Sequence, residues 1–137
     1  MNSFKKNNYL VIKKAISKEI ADFLFDYISL KRKVVKHLYN THYVHPNLYI
    51  LGHWNDTQVP NTYCHYSDFV FETLLKKLKP LVEKHTNLKL YMNYSYFRFY
   101  KKNDSLKKHR DRQECEISTT LNLGGDKWPI YVGGKKI

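Results

Sequence analysis

The spacing of hydrophobic positions predicts helices in the earlier part of the chain and strands in the later part. Two stretches repeat apolar residues every three or four positions, which is typical of helices with one buried face. Ser17 precedes the first stretch, and Ser67 or Asp68 precedes the second, as capping residues do. The apolar positions are Ile20, Phe23, Leu24, Tyr27 and Ile28 in the first helix, and Phe71, Leu74, Leu75, Leu78 and Val82 in the second. Pro80 lies inside the second pattern and predicts a kink or a new turn.

The pattern changes to a period of two from residue 89 onward, which is typical of strands. Shorter apolar runs earlier in the chain predict two further strands. The predicted strands cover residues 9–12, 47–51, 89–100, 115–123 and 128–132. Gly124-Gly125 and Gly133-Gly134 predict turns, and residues 135–137 look like the start of another strand. We therefore expect an α+β protein whose β part stops within a hairpin.

Composition limits the class of protein. The 137 residues, 42% of them hydrophobic and 15% aromatic, are enough for one packed domain over 1–137 and exclude a disordered chain. No run of about 18 apolar residues occurs, and the first residues lack the apolar segment of a secretory signal. We therefore expect no membrane partner and a cytoplasmic location. Cys64 and Cys115 lack the spacing of a zinc site, and two cysteines cannot form a disulfide scaffold.

The net charge of +12 raises the question of a nucleic-acid partner. Only four of the 24 basic residues are arginines, although forked contacts to phosphate and guanine favour arginine. The lysines occur in scattered pairs and form no basic arm. This distribution favours a solvated basic surface, and a nucleic-acid groove is the alternative.

Candidate chemistry is concentrated at His109-Arg110-Asp111, between two predicted strands. Residues two apart in extended backbone point to the same side, so His109 and Asp111 can both reach one metal ion. A histidine and a carboxylate with open positions suit non-haem Fe(II) when a second histidine completes the facial triad. Taken alone, the same pair is also typical of a solvated loop.

Several spaced segments in the last third of the chain carry a resemblance to a known family. They are residues 94–100, 109–112, 116–121 and 128–130. Together they resemble the Fe(II)/2-oxoglutarate-dependent oxygenases of the prolyl 4-hydroxylase-like group. The resemblance implies a double-stranded β-helix, or jelly roll, with flanking N-terminal helices.

The same resemblance implies roles for individual residues. His109 and Asp111 match the first two iron ligands, and the Tyr100 hydroxyl matches one that reaches 2-oxoglutarate. Tyr100 is otherwise an ordinary aromatic residue at a strand end. Arg98 lies on the same strand face and could approach the acidic cosubstrate, or it pairs with a carboxylate elsewhere. Asn103 stands in the turn before the metal pair and tolerates a positive φ.

The activity implied by the resemblance is that of a dioxygenase, or hydroxylase, that uses Fe(II), 2-oxoglutarate and O2, with ascorbate as an optional reductant. Its substrate would be peptidyl proline or a small molecule. Two alternatives stay open. One is a catalytically inactive oxygenase-fold binding module, and the other is a basic nucleic-acid-binding protein unrelated to the oxygenases.

One departure from the family pattern affects the iron site. The family has a distal histidine late in the barrel, followed by a Lys or Arg that binds the far carboxylate of 2-oxoglutarate. No histidine occurs after His109. The chain is expected to be either a fragment truncated before the distal histidine, with an incomplete barrel, or a natural inactive relative. The unfinished hairpin favours the fragment.

Overall fold

Helix-capping side chains define where the two long helices begin. A computed structural model describes residues 3–137. Its helices are α1 (Ser3–Asn7), α2 (Lys18–Asn40) and α3 (Phe69–Thr86), with a 3₁₀ turn at Pro46–Leu48. The Ser17 hydroxyl accepts a hydrogen bond from the Ile20 N–H at 3.2 Å, and Asp68 accepts one from Val70 at 2.9 Å. Both predicted helices are confirmed, and α3 continues through Pro80.

The apolar stripe predicted for α2 is only partly correct. Leu24 and Ile28 are buried as expected, whereas Ile20 is 47% and Phe23 66% exposed. The helix also runs to Asn40, and its buried face continues to Val35 and Tyr39. The packing partners of α2 lie against this narrower face, so the rim of the predicted stripe remains in solvent.

Two short antiparallel sheets make up the β structure of residues 3–137. Strand β1 (Tyr63–Tyr66) pairs with β2 (Tyr96–Phe99), and β3 (Tyr131–Val132) pairs with β4 (Lys135–Lys136). In the first sheet, the directly opposed residues are Tyr63 and Phe99, Cys64 and Arg98, His65 and Phe97, and Tyr66 and Tyr96. The protein is therefore mixed α+β, and no closed barrel forms within this part of the chain.

The core lies between α2, α3 and one face of the β1–β2 sheet. The Phe97 ring lies 4.9 Å from Phe71 of α3 and 5.7 Å from Tyr63 of β1, between ring centroids. The buried cluster consists of Leu24, Ile28, Val35, Tyr39, Tyr63, Phe71 and Phe97. Because strand residues alternate sides, the opposite face of the sheet presents Cys64, Tyr66, Tyr96 and Arg98.

Several predicted strands are wrong. Residues 9–12 and 115–123 are irregular, and only 96–99 of the predicted strand 89–100 is paired. Residues 115–123 keep their alternation in part, and Leu123 packs against the core, but no neighbouring strand supplies hydrogen bonds. The alternating pattern therefore indicated that one side of this segment is covered. It could not indicate whether a neighbouring strand pairs with the segment.

Residues 47–51 form no strand because local contacts hold a different backbone. Pro46 begins a 3₁₀ turn, and the His45 ring accepts a hydrogen bond from the Asn47 N–H at 3.3 Å. Tyr49 then has a φ of 56°, which extended backbone does not permit. Strand β1 was not predicted, because its first three residues are all buried and show no alternation.

The last residues form a two-residue hairpin at the predicted glycine turn. Gly133 and Gly134 have φ values of 57° and 82°, which glycine adopts without steric cost.

Both cysteines are free thiols. Among residues 3–137, every helix is too short or too polar to cross a bilayer.

Candidate functional site

The segment after β2 is anchored near β1 before it reaches the predicted metal ligands. The Thr62 hydroxyl donates to the Asp104 carboxylate at 2.6 Å, and the Lys101 ammonium contacts it at 2.5 Å. Burial would raise the pKa of Asp104, but the bonds from Lys101 and Thr62 lower it below the ordinary value. Asn103 has a φ of 71°, which agrees with the positive φ expected to be tolerated there. The loop toward His109 therefore starts from a fixed point.

The side chains of His109 and Asp111 converge. His109 Nε2 lies 3.3 Å from Asp111 Oδ1, and the two side chains are 34% and 47% exposed. His109 Nδ1 lies 2.9 Å from the backbone oxygen of Lys107. Because a carbonyl oxygen only accepts hydrogen bonds, Nδ1 carries the hydrogen, which leaves Nε2 of the neutral ring with a lone pair. That lone pair faces a carboxylate oxygen.

Two acceptor atoms that face each other need a positive centre. A proton on Nε2 makes an ion pair, whereas a metal ion would be bound by both atoms. Two ligands about 2.1 Å from one ion and at right angles lie about 3.0 Å apart, near the separation here. Within residues 3–137, no group of three or more His, Cys, Asp or Glu side chains could hold a metal. The separation suits either an ion pair or two ligands of one metal ion.

Arg98 is paired with a carboxylate on the loop before β1. Its side chain contacts Asp56 and Gln58 and is 13% exposed, and Asp56 is 4% exposed. The Tyr96 hydroxyl also donates to Asp56 at 2.9 Å. Burial would raise the pKa of Asp56 and lower that of Arg98, but the bond between them reverses both shifts. Arg98 thus stays charged and largely occupied by Asp56.

Tyr100 lies just beyond β2 and connects Arg98 to the C-terminal segment. Its ring stacks on Trp128, with centroids 4.7 Å apart and planes 28° apart. The Tyr100 side chain is also close enough to Arg98 to raise the pKa of the guanidinium. The structure therefore brings together the two residues predicted to bind the cosubstrate, while His109 and Asp111 form a separate pair.

A buried polar cluster that the sequence did not indicate joins α2, β1 and α3. Lys31 contacts Asp68 and lies 3.0 Å from His65 Nδ1, and the Tyr27 hydroxyl donates to Asp68 at 2.8 Å. The side chains of Lys31, His65 and Asp68 are 15%, 10% and 2% exposed. Only the capping role of Asp68 was visible beforehand, because Lys31 lies 37 residues away in sequence.

The charges of this cluster balance one another. Burial would raise the pKa of Asp68, but the bonds from Lys31 and Tyr27 lower it. Burial lowers the pKa of His65, and the nearby Lys31 charge lowers it further. A neutral His65 beside a Lys31–Asp68 ion pair follows. We interpret the cluster as a structural connection between the elements of the core, since its groups satisfy each other.

Comparisons with models of protein families, with curated proteins and with solved structures each gave no match.

Proposed function

We propose that the chain is an Fe(II)- and 2-oxoglutarate-dependent dioxygenase, a hydroxylase of peptidyl proline or a small molecule. The convergence of His109 Nε2 and Asp111 Oδ1 at 3.3 Å carries the proposal. A histidine that binds a metal usually donates its second ring N–H to a carbonyl or carboxylate. In this chain the backbone oxygen of Lys107 accepts the hydrogen bond from His109 Nδ1. The antiparallel β1–β2 pair, with α1 and α2 before it, is consistent with part of a jelly roll that has N-terminal helices.

His109 and Asp111 would hold the metal through these two atoms. When bound, Fe(II) would supply oxidative decarboxylation of 2-oxoglutarate to succinate and CO2, coupled to substrate hydroxylation. Two protein ligands leave positions for a bidentate 2-oxoacid and for O2. The exposure of both side chains leaves room for these molecules.

Tyr100 is the candidate contact for a carboxylate of 2-oxoglutarate. Its phenolic O–H can donate a hydrogen bond, and its ring is fixed against Trp128. Arg98 would then act as a positioning residue. Asp56 holds the guanidinium on the sheet, near the Tyr100 side chain.

The proposed site lacks a third protein ligand among the described residues. Metal affinity should therefore depend on the cosubstrate, because 2-oxoglutarate would fill two of the remaining positions. A site that binds the metal but turns over no 2-oxoglutarate is the inactive binding module considered above.

Metal binding and succinate formation test the proposal together. We expect Mn²⁺, an electron paramagnetic resonance probe for Fe(II), to bind more tightly when 2-oxoglutarate is present. His109→Ala and Asp111→Ala should each weaken this binding at least about tenfold, the loss typical of even a residue that supports a ligand. His42→Ala is the matched control, because His42 is an exposed histidine outside the site.

Three outcomes are informative. Succinate that depends on Fe(II) and on His109 supports the dioxygenase. Mn²⁺ binding without succinate supports the inactive module. Mn²⁺ binding that is unchanged by both site substitutions would rule out the His109–Asp111 pair.

A further inference from the structure

Three tyrosines lie together at one end of the β1–β2 sheet, and two of them are exposed. Tyr66 and Tyr96 are directly opposed in the strand register, with ring centroids 6.5 Å apart. Tyr94 lies against Tyr66 at 4.4 Å, with the ring planes 32° apart. Tyr66 is 44% exposed and Tyr96 38% exposed. We call Tyr66, Tyr94 and Tyr96 the tyrosine stack. Its rings lie on the side of the sheet away from the core. Because Arg98 lies over the Tyr96 ring at 4.9 Å, Tyr66 is the ring most open to a ligand.

A basic segment is fixed beside the tyrosine stack. The Arg112 guanidinium lies 6.0 Å from the centroid of the Tyr94 ring. Cys115, three residues after Arg112, donates its S–H to the Tyr94 hydroxyl at 3.5 Å. The segment that includes Arg112 is therefore held close to the Tyr94 side chain. Residues 107–112 are exposed and carry four basic side chains against the one carboxylate of Asp111. Two further carboxylates, Glu114 and Glu116, come after Arg112.

We propose that the tyrosine stack and residues 107–112 form a binding surface for single-stranded nucleic acid. Such surfaces combine aromatic rings, on which bases stack, with basic side chains that follow the phosphates. Arg112 suits both parts, because it contacts an aromatic ring and can donate to phosphate. The net charge of +12 adds long-range attraction for a polyanion.

A single strand fits better than a duplex because the faces of paired bases are covered by their neighbours. The scattered lysines argued against a nucleic-acid groove at the level of sequence. The tyrosine stack adds aromatic surface for bases, which the charge alone does not provide. It brings tyrosines from β1 and from the segment around β2 next to an arginine. The proposed surface does not depend on metal binding by His109 and Asp111.

The first test separates base stacking from simple charge attraction. A fluorescently labelled oligothymidylate of about 12 nucleotides is compared with an abasic phosphodiester strand of equal length, in the presence of EDTA. We expect the oligothymidylate to bind the full chain at least about tenfold more tightly, as stacking of even one or two bases provides. Equal affinity for the two strands overturns the proposal.

Variants of the stack provide the second test. Tyr66→Ala should weaken oligothymidylate binding about tenfold, whereas Tyr66→Phe should retain it because the ring remains. Tyr91→Ala is the matched control, since Tyr91 is 86% exposed and lies outside the stack. Wild-type affinity in Tyr66→Ala, or an equal loss in Tyr91→Ala, overturns the proposal. The retained binding of Tyr66→Phe shows that a loss in Tyr66→Ala concerns the ring.

Salt dependence tests the basic part of the surface. Arg112→Gln should weaken binding and reduce the slope of log affinity against log salt by about 0.7, the value for one phosphate contact on a single strand. His42→Ala should leave both quantities unchanged, because His42 is exposed and lies outside the proposed surface. An unchanged slope in Arg112→Gln contradicts the assigned phosphate contact.

Discussion

The region from Leu24 to Phe97 and the segment after Tyr100 differ in the range of their contacts. Every buried residue in the described part of the chain lies in the first region, where α2, β1, α3 and β2 meet. The segment after Tyr100 is mostly exposed, and contacts between near neighbours recur along it, such as Cys115 with Arg112 and Gly124 with Asn122. Long-range packing therefore sets stability in one region, and local geometry sets the candidate chemistry in the other.

The two regions are connected at several points. Asp104 is bonded to Thr62, Arg112 and Cys115 contact Tyr94, and Leu123 packs against the core. Because the His109 and Asp111 side chains are partly exposed and take no part in these connections, substitutions in the pair should leave folding almost unchanged. Substitutions in the core should instead change stability first. The following predictions test this separation.

The largest effect is expected from Phe97→Ala. Phe97 is 6% exposed and contacts Tyr63 and Phe71, so its removal leaves a cavity between β1 and α3. The free energy of unfolding should fall by about 3–5 kcal/mol, measured by urea denaturation. Tyr131→Ala is the control, because Tyr131 is 62% exposed in the terminal hairpin and should cost less than about 0.5 kcal/mol. Similar losses in both variants would contradict the division into two regions.

A smaller effect is expected from Asp68→Ala. This change removes the partner of the nearly buried Lys31, along with the N-terminal cap of α3. We expect a loss of about 2–3 kcal/mol, since an unpaired charge and a lost cap both destabilise the folded state. Asp22→Ala breaks the exposed Lys18–Asp22 pair, with side chains 85% and 55% exposed, and should cost under about 1 kcal/mol. Equal losses in the two variants would show that the buried cluster adds nothing.

The smallest effect concerns pH. Burial lowers the pKa of His65 and of His53, so the folded chain takes up their protons later than the unfolded chain does. Their contribution to stability is complete above about pH 6.5 and is lost as the pH falls through the lowered pKa values. The urea midpoint should therefore drop between pH 7 and pH 5. His65→Gln should reduce this drop, and His42→Gln, at an exposed position, should not.

Local signals predicted the features that depend on neighbours in sequence. The caps at Ser17 and Asp68, the glycine turn at residues 133–134 and the positive φ of Asn103 all agree with the structure. Each depends on one side chain or one backbone conformation within a few residues. The predicted strands failed where they lacked a partner, because pairing is a long-range property.

The candidate site divides in the same way. The convergence of His109 and Asp111 agrees with their spacing, since residues two apart can point to one side. The pairing of Arg98 with Asp56 was foreseen only as an unnamed carboxylate. The buried group around Lys31, His65 and Asp68 gave no sequence signal, because its members come from three different elements.

By itself, the order of residues determined the α+β class, the starts of the two long helices and the spacing of one imidazole and one carboxylate. Only the tertiary structure decided which face of α2 is buried, which strand lies beside β2 and which acid neutralises each buried cation. The physical reason is distance along the chain. Caps and turns form between close neighbours. A strand is stable only when a remote segment supplies its hydrogen bonds, and a buried charge only when a remote segment supplies an opposite charge.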